Sequence, residues 1–312
     1  MGAKYTRGSP DVVVVGSASR DIAADDPRGW RLGGGVSYTA LTTARLGLRT
    51  AALVGVDDLA ADADELRLLR GAGVEVVLVR LLRGPVFENI ERPGGRIQNC
   101  LEISDPIPPD ALPDSLARAT GWILTPVAGE IPDEWSAVAP DEAIVAVGWQ
   151  GLLRVLEAGA QVRHLAPRPS PVVSRADLVG VSRDDLDHRI ELATLSALLR
   201  PGATLAVTQG DRGGMVMEAG PGGPRNLRHY PAIRTHGAVD PTGAGDVFLA
   251  ALAAARIEPR LVGGRLDRGL DLLLAAAAAS LVLEAPGLLG VAGRSAVARR
   301  MAEGARSVVE PR

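Results

Sequence analysis

The chain has 312 residues, of which 46% are hydrophobic and 23% charged, so it contains enough apolar material for a substantial core and is not a disordered chain. Its formal net charge is only -3, which gives no overall field to attract nucleic acid or an anionic membrane surface. The single cysteine, Cys100, excludes both a disulfide framework and a cysteine-rich zinc module.

The first half of the chain alternates between strand-like and helix-like segments, which predicts an α/β fold with a mostly parallel sheet and helices on both faces. The strand candidates are short apolar runs typical of strands buried on both sides. In chain order the elements are the strand Val12–Val15, a helix from Gly33 to Leu46 with Gly47 as its C-cap, the strand Ala51–Val54 and a helix over Leu59–Arg70.

Residues 74–105 change this pattern, because their apolar and polar residues roughly alternate, as in an antiparallel sheet with one solvated face. Three short strands separated by glycine and proline turns are predicted there: Val76–Leu82, Val86–Glu91 and Arg96–Ile103, with turns at Gly84-Pro85 and Pro93-Gly94-Gly95. Together with part of residues 17–33, this segment is predicted to form a small β lid over the body.

The second half returns to alternating elements, and no linker or repeat divides the chain, so we expect one domain over residues 1–312. The predicted elements are the strands Trp122–Leu124, Ala143–Val147, Leu178–Val181 and Leu205–Thr208, a hairpin of Met215–Glu218 with Leu227–Tyr230, and helices over Asp184–Leu199, Asp246–Ala255 and Asp267–Leu283. The longest apolar run, Leu272–Leu283, falls short of the ~20 residues that cross a bilayer, and the first ten residues lack an apolar signal region. We therefore expect a cytoplasmic protein without a membrane partner.

The segment Asp240-Pro-Thr-Gly-Ala-Gly-Asp246 is a glycine-rich turn that leads into the helical run Val247–Ala255. Glycines let the backbone approach a ligand closely, and the free N–H groups of a first helical turn favour an anion. A carboxylate beside an anion site is unfavourable for binding alone, but it can accept a proton from an attacking hydroxyl. The alternative interpretation is a helix N-cap at a tight turn.

The same residues resemble the C-terminal signature of the ribokinase-type (PfkB) carbohydrate kinases. Four further segments are similar to that family in the same chain order: Val15–Asp21, Gly33-Gly34 with the helix to Gly47, Val54–Asp57 and Thr208–Gly213. The resemblance implies a ribokinase-like α/β fold with a β lid, and transfer of the γ-phosphoryl group of ATP to a hydroxyl of a small polyol. In relatives the lid often also pairs subunits, which makes a homodimer through the lid an expectation.

The resemblance also implies roles for individual residues. Asp246 would be the catalytic base, and the amides of Gly243, Ala244 and Gly245 would form the anion hole for the transferring phosphoryl group. Asp246 would need no raised pKa for this role, because a loose transition state lets the hydroxyl proton leave late. Residues implied on the nucleotide side are Ser182, Asp185, Thr208, Gly210, Gly213 and Thr242.

Asp21, Gly33, Gly34 and Tyr38 would line the acceptor pocket together with Asp246, with a solvated strand-end aspartate and a flexible loop as the alternative interpretations. Asp240 resembles the position near a monovalent cation, K⁺, and Asp185 would act on Mg²⁺ indirectly through water.

Two segments depart from the family pattern. The family usually carries Asn-x-x-Glu where this chain has Ser182–Asp185, which keeps oxygen ligands but shortens their reach. Tyr38 replaces an asparagine of many sugar kinases, so a ribose-type hydrogen-bonding scheme is not expected. There is no Walker-type lysine, because Lys4 is the only lysine, and Arg212 is the nearest candidate cation or else a solvated loop arginine.

Weaker similarities point to the branch of the family that contains myo-inositol kinases. They lie at Phe87-Glu88-Asn89-Ile90, Arg96-Ile-Gln98 and Gln150-Gly151 followed by Arg154. The function expected from the sequence is therefore ATP- and Mg²⁺-dependent phosphorylation of a sugar or cyclic polyol, inositol-like in preference. Two alternatives stay open: a nucleoside kinase of the same fold, and a catalytically silent ligand-binding or regulatory relative.

Overall fold

The computed structural model describes residues 9–92, 95–264 and 269–309. The strands within these ranges are β1 (Val12–Ser17), β2 (Arg20–Ile22), β3 (Trp30–Leu32), β4 (Thr50–Val56), β5 (Glu75–Arg80), β6 (Val86–Arg92), β7 (Gly95–Glu102), β8 (Gly121–Leu124), β9 (Ile144–Gly148), β10 (Arg154–Val155), β11 (Ala160–Gln161), β12 (Arg163–His164), β13 (Leu178–Ser182), β14 (Thr204–Thr208), β15 (Gly214–Glu218) and β16 (Arg225–Tyr230). The α-helices are α1 (Gly35–Leu46), α2 (Asp64–Gly71), α3 (Pro171–Arg175), α4 (Leu192–Ser196), α5 (Ala244–Ile257), α6 (Leu270–Val282) and α7 (Arg294–Val309).

A nine-stranded sheet in the order β16-β15-β14-β13-β9-β8-β1-β4-β5 forms the centre of the fold. All neighbours from β14 to β5 run parallel, and β15 and β16 continue the sheet as an antiparallel hairpin. In β1, Val12 and Val14 pack in one apolar cluster while Val13 and Val15 pack in another, so both faces of the strand are buried. The predicted α/β class and mostly parallel sheet are thus confirmed.

A five-stranded sheet in the order β11-β7-β6-β2-β3 forms the small β lid predicted from the sequence. Its neighbours pair antiparallel except β2 and β6, which run parallel. The predicted boundary of the lid was wrong at one end: β5, predicted as a lid strand at Val76–Leu82, pairs in parallel with β4 at the edge of the main sheet. Its residues are apolar on both faces, which suits the main sheet better than a lid. The predicted turn at Pro93-Gly94 lies outside the described residues.

Helices cover the main sheet: α1 and α5 pack against the face that holds Val12 and Val14, and α6 packs against α5 in the same apolar cluster. The predicted helix over 184–199 was wrong: only a 3-10 turn at Arg183–Asp185 and the short helix α4 form there. The sequence also did not predict α7. The start of the predicted helix at 267–268 lies outside the described residues, and α6 begins at Leu270. No described helix is both long enough and apolar enough to span a bilayer.

Candidate active site

The glycine-rich turn lies at the N-terminus of α5, at the carboxyl edge of the parallel strands. Gly243 is the N-cap, with φ of +80°, a left-handed conformation that glycine adopts without strain. Asp240 fixes the turn, because its Oδ1 accepts a hydrogen bond from Thr242 N at 2.9 Å and its Oδ2 accepts one from Gly287 N at 3.0 Å. Glycine at the cap and the hydrogen-bonded Asp240 therefore fix the turn at a helix N-terminus, where N–H groups can bind an anion; the amide of Ala244 makes a long hydrogen bond of 3.4 Å to Pro241 O.

A second helix N-terminus meets this turn at Asp246. α1 begins at Gly35, where an added Cβ would lie 2.8 Å from Oδ1 of Asp246 and 2.9 Å from Cβ of Thr125. Gly34 caps α1 with φ of +85°, and an added Cβ there would lie 2.5 Å from Ser17 O. The carboxylate of Asp246 is therefore enclosed between the starts of two helices, where only glycine leaves room for it.

The environment of Asp246 raises the pKa of its carboxyl group to about 7, chiefly because burial disfavours the charged form. The positive charge of Arg154 opposes this shift, whereas the negative charges of Asp185 and Asp21 add to it. A catalytic base in the role predicted from the sequence requires no such shift, and the raised pKa is a feature that only the folded environment of Asp246 produces. A carboxylate with a pKa near neutrality is suited to accept a proton and release it again.

Asp21 and Gly33 lie together on the lid side of the turn. Ser19 Oγ donates a hydrogen bond to Asp21 Oδ1 at 2.8 Å, and an added Cβ at Gly33 would overlap the other carboxylate oxygen of Asp21. Asp21 is paired with Phe87 between β2 and β6. The structure therefore brings three of the predicted acceptor residues (Asp21, Gly33 and Gly34) to the mouth of the site, next to Asp246.

Tyr38 occupies a different place from the other predicted acceptor residues. Its side chain is only 2% exposed, and an added Cβ at Gly243 would overlap its ring. Burial raises the pKa of Tyr38 well above its usual value, and the charges of Asp21, Asp240 and Asp246 add to that shift. The ring thus supports the glycine-rich turn from below, and a role for Tyr38 in acceptor contact stays a prediction.

The predicted nucleotide-side residues lie at the carboxyl ends of β13 and β14. Ser182 and Thr208 are register partners at the last position of the two strands. Gly210 and Gly213 border the 3-10 turn that follows Thr208, and both have positive φ. Arg212, the candidate cation from the sequence, is exposed on this turn. The structure therefore brings these residues to the same edge of the sheet as the glycine-rich turn but leaves Arg212 pointing into solvent.

Asp185 and Ser182 are the residues that could bind Mg²⁺ on this side. Asp185 is buried and accepts hydrogen bonds from Gln150 Nε2 at 3.0 and 3.3 Å, and Ser182 Oγ accepts one from Asp184 N. Mg²⁺ commonly binds through one or two carboxylates plus substrate phosphates and retained water, a mode that a single oriented carboxylate fits. Within the described ranges, no group of three or more His, Cys, Asp and Glu side chains could hold a metal by itself.

Arg154 is a functional candidate that the predicted site residues did not include. Its guanidinium lies over the Phe87 ring of the lid, 5.7 Å from the centroid, and donates a hydrogen bond from Nη1 to Val127 O at 3.3 Å. The charges of Asp185, Asp246, Asp21 and Glu130 all act on it. The signal for Arg154 in the sequence was the Gln150-Gly151…Arg154 pattern. The spacing of that pattern could not show that the guanidinium of Arg154 lies near the carboxylates of the candidate site.

Comparison with protein families gives a match to the model described as "pfkB family carbohydrate kinase" over residues 170–290, which include the glycine-rich turn and Asp246. The resemblance to the PfkB family is confirmed. Among proteins of curated function, no sequence matches significantly. The matched residues include β13 and β14, which carry the predicted nucleotide-side residues, and α5. The match therefore covers the part of the candidate site that contains the glycine-rich turn.

Solved structures with the same fold are kinases of the ribokinase family. A pyrophosphate-dependent kinase in that family, complexed with a pyrophosphate analog and myo-inositol, aligns with a TM-score of 0.72 and 21% identity over 92% of this chain and 99% of its own. The nucleoside kinase of Methanocaldococcus jannaschii has a TM-score of 0.68 and 16% identity over 95% and 99%. Arabidopsis thaliana ribokinase complexed with ribose and ATP has a TM-score of 0.65 and 18% identity over 94% and 99%. At these identities the similarity establishes the ribokinase-like fold.

Proposed function

We propose that this protein is a kinase that transfers the γ-phosphoryl group of ATP to a hydroxyl of a sugar or cyclic polyol, with an inositol-like acceptor preferred. The observation that carries the proposal is the position of Asp246 in the first turn of α5, beside the glycine amides and with a pKa of about 7. A binding protein gains nothing from a carboxylate at an anion site, whereas a phosphotransferase needs a proton acceptor there.

The reaction requires one bond to form and one to break. The acceptor oxygen attacks the γ-phosphorus, the bond between that phosphorus and the β–γ bridging oxygen breaks, and ADP leaves. Asp246 accepts the hydroxyl proton, and the amides of Gly243, Ala244 and Gly245 bind the oxygens of the transferring group. Asp185 and Ser182 would hold Mg²⁺, which would supply positive charge that neutralises the donor phosphates. The lid excludes water, which would compete for the phosphoryl group.

Polar side chains on the lid support a polyol acceptor. Asn89 lies two residues after Phe87 and therefore on the same face of β6, and Gln98 is its partner on β7. Gln98 Nε2 donates a hydrogen bond to Asn89 Oδ1 at 2.9 Å, which leaves further amide donors and acceptors on that face. Two paired amides and the carboxylate of Asp21 offer the mixed donors and acceptors that a ring of hydroxyls requires.

Three alternatives to the proposal have a specific basis. The M. jannaschii relative is a nucleoside kinase, which keeps a nucleoside acceptor open, although aromatic residues make up only 3% of this chain. Three of the similar solved structures are described as pyrophosphate-dependent kinases, which makes pyrophosphate a second candidate donor. A catalytically silent ligand-binding or regulatory relative is the third alternative, suggested by the altered segment Ser182–Asp185. The proposal has three further parts. We expect a homodimer that forms through the lid, a K⁺ ion near Asp240, and a cytoplasmic location.

The decisive experiment measures phosphorylated product with either ATP or pyrophosphate as donor, in Mg²⁺, across inositols, pentoses, hexoses and nucleosides. The test variant is Asp246→Asn, and the matched control is Asp58→Asn, whose carboxylate is 98% exposed. We expect turnover of at least one cyclic polyol or sugar, retained in Asp58→Asn and lost by a factor of at least ~10³ in Asp246→Asn. Undiminished turnover in Asp246→Asn would refute the role of the base, and binding of ATP without turnover of any acceptor would favour the silent relative.

A further inference from the structure

Arg154 combines a sheltered position with unused hydrogen-bonding capacity. A guanidinium has five N–H donors, and a buried charge is normally paired and hydrogen-bonded. Among the residues that the structure describes, this guanidinium donates only the hydrogen bond to Val127 O, and it forms no ion pair. Its pKa is lowered by burial, against the pull of the surrounding carboxylates. The side chain is therefore held in the site with most of its donors available to a ligand.

The seat of Arg154 is rigid. The Val127 carbonyl oxygen accepts the hydrogen bond from Arg154 Nη1, and the Val127 amide donates a hydrogen bond to Glu130. The carboxylate of Glu130 is fully buried and also accepts hydrogen bonds from Ser17 N at 2.9 Å and Ala128 N at 2.8 Å. On the other side, the guanidinium lies over the ring of Phe87. Because these contacts fix the side chain from the body and from the lid, its free donors have a defined direction.

Arg154 lies where the two halves of the site meet. It directly follows the 3-10 turn Gln150–Leu153, whose first residue binds Asp185 on the nucleotide side. Phe87, under its guanidinium, is the register partner of Asp21 on the acceptor side. A phosphoryl group moving from donor to acceptor must pass between these two sides, next to Asp246.

We propose that Arg154 is a catalytic residue whose guanidinium binds the oxygens of the transferring phosphoryl group, opposite the amides of Gly243–Gly245. This inference depends on the proposed kinase function. Arg154 would supply the positive charge at the phosphoryl group that a Walker-type lysine would otherwise provide, and this sequence has no such lysine. A planar fork of donors matches phosphoryl oxygens, and a sheltered cation stabilises charge more strongly than an exposed one. The same charge favours the ionised form of Asp246.

The test compares Arg154→Met and Arg154→Lys with Arg256→Met as a matched control. Arg256 lies at the opposite edge of the sheet, where its Nη2 donates a hydrogen bond to Thr204 Oγ1 at 3.1 Å. With the acceptor found for the native protein, we expect Arg154→Met to lower kcat by about 10²–10³, with less than a threefold change in the KM of a neutral acceptor. Arg154→Lys recovers about a tenth of the lost rate, because it restores the charge without the fork.

A second measurement does not depend on turnover. Binding of inorganic pyrophosphate to the protein is measured by calorimetry, and we expect it to weaken at least tenfold in Arg154→Met while staying unchanged in Arg256→Met. Because this assay measures binding and not turnover, it can also be made in the Asp246→Asn background. Failure of the proposed kinase function would abolish turnover of every acceptor, whereas failure of this proposal would leave the pyrophosphate affinity of Arg154→Met unchanged.

Three results would overturn the proposal. Unchanged kcat and pyrophosphate affinity in Arg154→Met would show that the guanidinium does not contact the phosphoryl group. An increase confined to acceptor KM would assign Arg154 to acceptor binding instead. A larger loss in Arg212→Met than in Arg154→Met would transfer the role to the exposed loop arginine.

Discussion

Glu284 Oε1 accepts a hydrogen bond at 2.8 Å from the guanidinium of Arg300, an α7 residue that is only 4% exposed. The same carboxylate oxygen accepts hydrogen bonds from His236 N at 2.8 Å and Thr235 Oγ1 at 3.0 Å. Burial alone would raise the pKa of Glu284, but these hydrogen bonds hold it below its usual value. The pair therefore anchors the segment that leads into the glycine-rich turn.

This anchoring predicts the effect of Glu284→Gln and Arg300→Met. The Glu284 side chain is 25% exposed and Arg300 also pairs with Glu303, so removing either partner mainly loses a hydrogen bond between charged groups, which contributes ~1.5–3 kcal/mol. We expect each single variant to lower the free energy of unfolding by about this amount, measured by denaturant titration, and to raise the KM of the donor. The double variant should be more stable than the sum of the single effects predicts; strict additivity would show that the two residues do not act as a pair.

Gly35→Ala tests the enclosure of Asp246. The new Cβ would lie 2.8 Å from the carboxylate, so the base must shift, and a displacement of ~1 Å in an active site can lower kcat ~10²-fold. The control is Gly71→Ala, which adds a Cβ into open space at the end of α2. Steady-state kinetics should show the loss in Gly35→Ala alone. Full activity of Gly35→Ala would contradict the close approach of α1 to Asp246.

Gly245→Ala separates phosphate binding from folding. Gly245 is exposed in the first turn of α5, with no atoms within 4 Å of an added Cβ and without a positive φ. Alanine in a helix is favoured over glycine by ~0.5–1 kcal/mol, so the melting temperature should stay the same or rise. Turnover should nevertheless fall at least tenfold, because the methyl group blocks the approach of phosphoryl oxygens to the amide. Unaltered turnover would place the phosphoryl group elsewhere.

The pKa of Asp246 predicts opposite pH effects on activity and stability. The base acts when ionised, so kcat/KM should rise about tenfold per pH unit below pH ~7 and level off above it. Ionisation of a group whose pKa is raised on folding destabilises the folded state, an effect absent below pH ~4 and complete above pH ~7. Asp246→Asn should therefore gain stability over the native protein as pH rises from 5 to 8, by at most ~3 kcal/mol. A constant difference across this range would refute the raised pKa.

Gln150→Leu tests the role of Asp185 in metal use. Gln150 is the amide partner that orients the buried Asp185 carboxylate. Loss of such a partner commonly weakens metal affinity 10- to 100-fold. We expect the Mg²⁺ concentration for half-maximal activity to rise by at least tenfold, with a smaller change at saturating Mg²⁺. An unchanged Mg²⁺ dependence would exclude Asp185 from the metal site.

The sequence by itself determined the class of fold and predicted the centre of the candidate site. Short β-branched runs are typical of parallel strands that are buried on both faces, and the order of glycines and aspartates in 240–246 predicts an anion-binding turn before a helix. Both signals reside in adjacent residues. The C-cap at Gly47, with φ of +107°, was predicted correctly for the same reason.

Only the tertiary structure decided which sheet holds β5, how far the helix after Ser182 extends, and that Arg154 belongs to the site. The strand β5 has the apolar pattern of either sheet until its parallel pairing with β4 is formed. The acidic start of 184–199 favours a helix locally, but in the fold this stretch is a loop that contains only the 3-10 turn Arg183–Asp185 and the five-residue helix α4. The charges of Asp21, Asp185 and Asp246 act on Arg154, although these residues are distant from it in sequence and come near it only when the sheet and lid have assembled. Charge interactions depend on distance in space, and sequence spacing does not report that distance.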